Sequence, residues 1–215
     1  MQNYKMVVFD CDGTLIDSAI MITMLYEGYQ TMYPNRKPLP YAYFIPCYFQ
    51  TDQENCAYLN VPEEDKERFE DICFHHCEKG MDTVKPFSGI NELLIELHKR
   101  GYALGIATSR SYAAFYELRK QLTKEAFDCF SCIGVQEVVA RTKPAPDVLL
   151  YIMQKTGYSS RELLFVGDSM NDAQCAKNSQ CGFCLGEMGQ CYNGIPALSL
   201  HGRSSTGAFN IIMSI

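Results

Sequence analysis

From Ile90 onward the chain alternates short apolar runs with segments of helical period, and that alternation leaves few folds open. Ile90, Leu93, Leu94 and Leu97 recur at helical spacing until Lys99-Arg100-Gly101 ends the segment, and a strand-like run, YALGIAT at residues 102–108, follows. The pattern then predicts a helix over residues 111–122, a strand near Cys132–Val135, a helix over 145–156, a strand at Leu163–Gly167, a helix over 171–178 and a strand at Gly182–Leu185. Together with an apolar run at residues 6–10, this series predicts an α/β fold in which a parallel sheet carries helices on both faces.

The series is interrupted once. Residues 18–82 are helical in pattern, with one helix from about Ser18 to Tyr33 stopped by Pro34 and Pro38, a second near Asp52–Leu59, and a third from Pro62 to Lys79 that opens on Pro62 at its first position and Glu63-Glu64-Asp65 in its first turn. The expected organisation is therefore an α/β core formed by residues 1–17 and 83–215, with a small helical cap inserted at 18–82.

Polar residues gather where the strands end. Val7-Val8-Phe9 runs into Asp10-Cys11-Asp12-Gly13-Thr14, so two carboxylates two residues apart close the first strand. In a strand such residues share a face, and two anions that close raise each other's pKa unless a cation or a proton relieves them. A metal site, acid/base chemistry and an ordinary Asp-Gly turn all fit these residues. Thr108-Ser109-Arg110 ends the second strand and Gly167-Asp168-Ser169 the fourth, with Asp172 one turn into the next helix; Lys143 lies in RTKPAPD, where Pro144 and Pro146 predict an extended lead into a helix. Ligands of open parallel sheets bind at the carboxyl ends of strands, where Asp10, Asp12, Thr108, Asp168 and Lys143 would converge.

A net charge of −6 and a pI near 5.2 argue against general binding to nucleic acid or anionic membrane. No apolar run is long enough to span a bilayer, and Met1–Lys5 leads directly into the first strand, so a cytoplasmic location is expected. The eleven cysteines are odd in number and scattered through apolar segments, which fits reduced thiols. Cys129 with Cys132 and Cys181 with Cys184 imitate a four-thiolate zinc site, but both pairs fall in strand-like stretches, where residues three apart point to opposite faces. Cys73, His76 and Cys77 share a helix face with Phe69 and Ile72 and read as core packing.

DCDGTLIDS, the Thr of IATSR, the Lys of RTKPAPD and GDSMND, in that order, resemble the four motifs of the haloacid dehalogenase-like superfamily in its phosphoglycolate phosphatase-like branch. The resemblance covers about residues 5–186 and implies a Rossmann-like core, a helical cap after the first motif, and magnesium-dependent hydrolysis of a small phosphomonoester. It implies Asp10 as nucleophile and Asp12 as general acid and base. It implies magnesium held by Asp10, the Asp12 carbonyl and Asp168, with Asp172 supporting that shell or orienting Lys143, and Thr108, Ser109 and Lys143 on the phosphoryl oxygens. Asp12 favours phosphate chemistry over carbon–halogen cleavage, because the dehalogenases of the superfamily lack it. A phosphomutase of the β-phosphoglucomutase type is the alternative, ahead of a non-catalytic or zinc-binding interaction module. In this family the strands that carry the two CxxC pairs lie at opposite sheet edges, out of reach of one metal. The implied partner is a small phosphorylated metabolite, with no nucleic acid or membrane, and the protein is expected as monomer or homodimer.

The cap stretch YFIPCYFQTDQENC lacks the Gly and nearby Arg of many relatives, and Arg36, Lys37, Lys66 and Arg68 are its nearest cations. With none of them assigned to the site, a neutral or aromatic leaving group such as a sugar or nucleoside is expected. The tail after Gly186 matches the family poorly.

Overall fold

The computed structural model describes residues 4–50, 52–80 and 84–186, so the tail after Gly186 lies outside the described residues. The chain divides into two compact units, one from Met1–Asp17 with Lys85–Ile215 and one from Ser18–Val84.

In the first unit β1 (Met6–Phe9), β4 (Ala103–Ala107), β5 (Phe130–Gly134), β6 (Leu163–Gly167) and β7 (Gly182–Leu185) form one sheet in the order β5-β4-β1-β6-β7, every pair parallel. All four β1 residues and all five of β6 are buried, as strands covered on both faces require. Met6 and Val8 pack with Phe165, with Val148, Leu149 and Ile152 of α7 (Asp147–Thr156) and with Cys175 and Ala176 of α8 (Met170–Ser179). The pleat turns Val7, Phe9, Leu104 and Ile106 the other way, and α4 (Ile90–Lys99), which buries Ile90, Leu93, Leu94 and Leu97, packs against β4.

Two-residue strands β2 (Ile16–Asp17) and β3 (Lys85–Pro86) pair antiparallel beside the exit of β1; runs this short carry no readable period in the sequence. The helix expected over 111–122 is α5 (Tyr112–Arg119), which ends early, and a separate short helix that was not expected, α6 (Lys124–Phe127), follows it. Thr123 makes the break, since its Oγ1 accepts the Ala126 N–H at 3.3 Å and caps a new helix instead of continuing the old one.

In the second unit α1 (Ile20–Met32), α2 (Asp52–Tyr58) and α3 (Lys66–Gly80) match the expected helices, but Pro62 caps a 3₁₀ turn at Glu63–Asp65 ahead of α3 rather than starting the α-helix itself. A 3₁₀ helix over Tyr41–Phe49 was not expected; Pro46 inside it bars a continuous α-helical ladder. The core is aromatic: Phe44 and Phe69 meet Tyr29 edge-on at 5.6 and 6.3 Å. Cys73 packs against this cluster, as expected, whereas His76 faces Glu27 and Thr31 at 3.4 and 3.3 Å. Two cations of this unit have local partners: Arg36 stacks 3.7 Å over the Tyr33 ring, and Lys66 pairs with Glu63 at 2.5 Å. Among the described residues no helix is long and apolar enough to cross a membrane.

Gly101 closes α4 at φ 91°, with the Gly101 N–H donating to the His98 carbonyl at 3.0 Å and the Tyr102 N–H to the Leu97 carbonyl at 3.1 Å. No atom lies within 4 Å of where a Cβ would stand, so substitution there tests backbone conformation alone. Gly101→Ala should lower stability by about 1–2 kcal/mol in urea titration, and an unchanged midpoint would contradict the left-handed assignment.

Candidate active site

The sheet order brings the site together. β4, β1 and β6 are neighbours, so Thr108, Asp10 and Asp168, each the first residue after its strand, meet at one edge. Asp10 and Asp168 flank the gap between β1 and β6, where the chain changes its direction of travel across the sheet and where open α/β sheets bind ligands. The Asp10 N–H donates to the Val166 carbonyl at 2.8 Å, which fastens the first acid to the strand that delivers the second. Oxygens of Asp10, Asp168 and Asp172 lie within 4.8 Å of one another, and all three residues are buried.

Lys143 enters this cluster from far along the chain. Its Nζ is 2.5 Å from Asp10 Oδ1 and 2.7 Å from Asp172 Oδ1, and its side chain is 6% exposed. The lead to α7 is a turn, not the extended segment expected: the Ala145 N–H donates to the Thr142 carbonyl at 3.0 Å, and this local bond folds residues 142–145. Asp172 is held from its own helix. The Ser169 N–H and Oγ donate to Asp172 Oδ2 at 3.0 and 2.6 Å, while Ser169 Oγ accepts the Asp172 N–H at 3.1 Å. This reciprocal cap starts α8 and leaves the other Asp172 oxygen for Lys143.

Asp12 goes elsewhere. β1 ends at Phe9, so strand parity does not carry to Asp12, and its carboxylate is outside the three-acid group. Arg110 takes it: Nε donates to Asp12 Oδ2 at 2.5 Å and Nη2 to Oδ1 at 2.8 Å. Arg110 stands two residues after Thr108, and nothing local in the sequence marks a partner 98 positions away. Thr108 is buried, and its Oγ1 accepts the Arg110 N–H at 3.2 Å; Ser109 is half-buried beside it. Gly13, at φ 71°, is where the chain turns after Asp12, and a Cβ there would stand 1.9 Å from Asp168 Oδ2. Only glycine lets this loop approach the carboxylate so closely.

Burial pushes the Asp168 carboxyl up to about 9, with Asp10 and Asp172 adding to the effect. Asp10 is pushed up to about 7, again first by burial; Lys143 opposes the rise and the neighbouring acids add to it. Burial works against the Lys143 ammonium, but Asp10 and Asp172 outweigh it and hold its pKa above the ordinary value. Three buried carboxylates around one ammonium are short of positive charge. Hard oxygen donors this close, beside a glycine that leaves room at Asp168, fit a divalent cation such as magnesium. The CxxC pairs do not compete for this role, since β5 with Cys132 and β7 with Cys184 are the opposite edges of the sheet.

The raised carboxyls have a consequence for stability. An unfolded aspartate titrates near pH 4, so between there and pH 9 the folded chain binds more protons than the unfolded one, and stability falls as pH rises. Melting temperature in chelator should decline from pH 5 to pH 9, and Asp168→Asn or saturating magnesium should flatten the decline. A melting temperature that climbs over that range in chelator would show that the cluster does not hold these protons.

The family model for haloacid dehalogenase-like hydrolases matches residues 7–185. The pyrophosphatase PpaX of Halalkalibacterium halodurans is 28% identical over 80% of this chain and 79% of its own, and the phosphoglycolate phosphatase of Aliivibrio fischeri is 25% identical over 84% and 82%. A crystal structure of a Lactobacillus plantarum protein proposed to be a phosphoglycolate phosphatase superposes with a TM-score of 0.79 at 21% identity, covering 99% of this chain and 100% of its own. The matched span contains the acid cluster, Lys143 and Arg110, and the chain belongs to the haloacid dehalogenase-like hydrolase family.

Proposed function

We propose that this enzyme hydrolyses small phosphomonoesters by two successive phosphoryl transfers through Asp10. The observation that carries the reading is the buried Asp10 carboxylate, held through one oxygen by Lys143 at the sheet edge where Asp168 and Asp172 converge. Its second oxygen attacks phosphorus, the bond to the leaving oxygen breaks, and Asp12 gives that oxygen a proton. Water then attacks the aspartyl-phosphate, Asp12 takes the proton back, and phosphate departs from Asp10. Thr108, Ser109 and Lys143 hold the phosphoryl oxygens as charge shifts between them. Asp10, Asp168 and the Asp12 carbonyl would hold magnesium, which supplies positive charge between carboxylates and phosphoryl group. Asp172 belongs to the same acidic group, and its engagement with Ser169 and Lys143 supports a bracing role.

The names of the relatives, a pyrophosphatase and a phosphoglycolate phosphatase, support hydrolysis over the mutase alternative. The reading includes a small phosphorylated metabolite as partner, a cytoplasmic location, a monomer or homodimer, and a cap role for the helical unit.

Assay against a panel of phosphomonoesters should show magnesium-dependent phosphate release, reduced on the order of a thousandfold or more by Asp10→Asn. Full activity in that variant would remove Asp10 as nucleophile, and transfer to a second hydroxyl of a phosphosugar without phosphate release would replace hydrolysis by mutation. For the leaving group, neutral or aromatic esters are expected to lead the panel. A strong preference for 2-phosphoglycolate would overturn that expectation and leave the chemistry intact.

A further inference from the structure

Asp10 and Asp12 have different cations, and the second has no role in the chemistry above. Lys143 is buried among Asp10 and Asp172. Arg110 and Asp12 sit nearer the surface, with side chains 19% and 20% exposed, and meet through two parallel hydrogen bonds. The pair is part-buried and joined at both oxygens, the geometry in which an arginine–carboxylate contact is most directional. What the two-pronged contact imposes is direction: a planar guanidinium fixes the plane and position of the carboxylate, which a lysine ammonium cannot do.

Arg110 is itself held on both sides. Its N–H donates to Thr108 Oγ1 at 3.2 Å, and its carbonyl accepts the Gln136 N–H at 2.9 Å. Two residues on, the Tyr112 N–H donates to the Glu137 carboxylate, with both oxygens at 2.9 Å, so the loops after β4 and β5 are tied together under the arginine. The fork is thus anchored to the sheet edge that carries the site, and Asp12 lies at its open end.

We propose that Arg110 is a positioning residue that fixes where the Asp12 carboxylate stands, and that one of its two hydrogen bonds to Asp12 is given up when Asp12 carries the proton for the leaving oxygen. The proposal rests on the phosphatase reading. It has a specific kinetic signature, because an alkyl leaving group needs the proton from Asp12 and a nitrophenolate scarcely does. The arginine beside the second acid belongs to the α/β unit and not to the inserted helical segment.

The test compares wild type, Arg110→Gln and Arg110→Lys on glycerol phosphate and 4-nitrophenyl phosphate in magnesium, with melting curves to verify folding. For Arg110→Gln, kcat on glycerol phosphate should fall on the order of 10- to 100-fold, as misplacement of a catalytic group does. On 4-nitrophenyl phosphate it should fall less than about 3-fold, with KM for both esters little changed and only partial recovery in Arg110→Lys. Equal losses on the two esters would overturn the proposal. So would a rise in KM at constant kcat, which would make Arg110 a binder of substrate anion. If wild type turns over neither ester, the comparison moves to the best substrate of the phosphomonoester panel, and inactivity across the whole panel counts against the phosphatase reading alone; crystal structures then decide Arg110, since an Asp12 carboxylate displaced in Arg110→Gln supports the positioning role and one left in its wild-type place refutes it. If Arg110→Gln does not fold, Arg110→Lys carries the same comparison, since it keeps the charge and loses the fork.

Discussion

The structure is organised around the burial of negative charge at one edge of a parallel sheet. Asp10, Asp168 and Asp172 place oxygens within 4.8 Å of one another while largely buried, an arrangement that loses hydration and adds repulsion. Every element nearby bears on that cost. The turn at 142–145 returns Lys143 to the cluster, the reciprocal Ser169–Asp172 cap settles one carboxylate against its own helix, and Gly13 withdraws its bulk from Asp168. The cap and the turn are local motifs, and the fold places them where they serve the cluster. They are consistent with one another because they answer the same electrostatic demand.

The two acids of the first motif separate sharply once folded. Asp10 ends its strand inside the sheet edge and shares a buried ammonium; Asp12, beyond the end of β1, turns to an accessible guanidinium. Repulsion between them persists, but for Asp10 it is smaller than burial and the effect of Asp172. These surroundings fit the roles proposed for the two residues, a fixed and shielded carboxylate for the nucleophile and a less buried one for the group that moves the proton.

Much of this was legible in the chain. β1, β4, β6 and β7 fall within a residue of their expected bounds, because buried parallel strands are short continuous apolar runs bracketed by helical periods. The convergence of Asp10, Thr108 and Asp168 followed from their positions after strands; Lys143, well beyond β5, arrives through the turn at 142–145, and Asp12, expected with them, pairs with Arg110 instead. What escaped was of two kinds. Elements without a period, such as the pair β2–β3 and the 3₁₀ helix at Tyr41–Phe49, have no pattern to read. Elements decided by one hydrogen bond, such as the break at Thr123 and the turn at Thr142, depend on a local choice that competes closely with its alternatives.

The sequence by itself determined the sheet, the order of its motifs and which residues would stand at its carboxyl edge, since these depend on hydrophobic period and on position relative to strand ends. Only the tertiary structure decided which cation each carboxylate receives. Lys143 reaches Asp10 across 133 residues and Arg110 reaches Asp12 across 98, and the same chain offers other lysines and arginines that end elsewhere. Charge pairing falls off over a few ångströms and is indifferent to separation along the chain. The fold had to bring strands and turns into register before Asp10 and Asp12 could meet different cations.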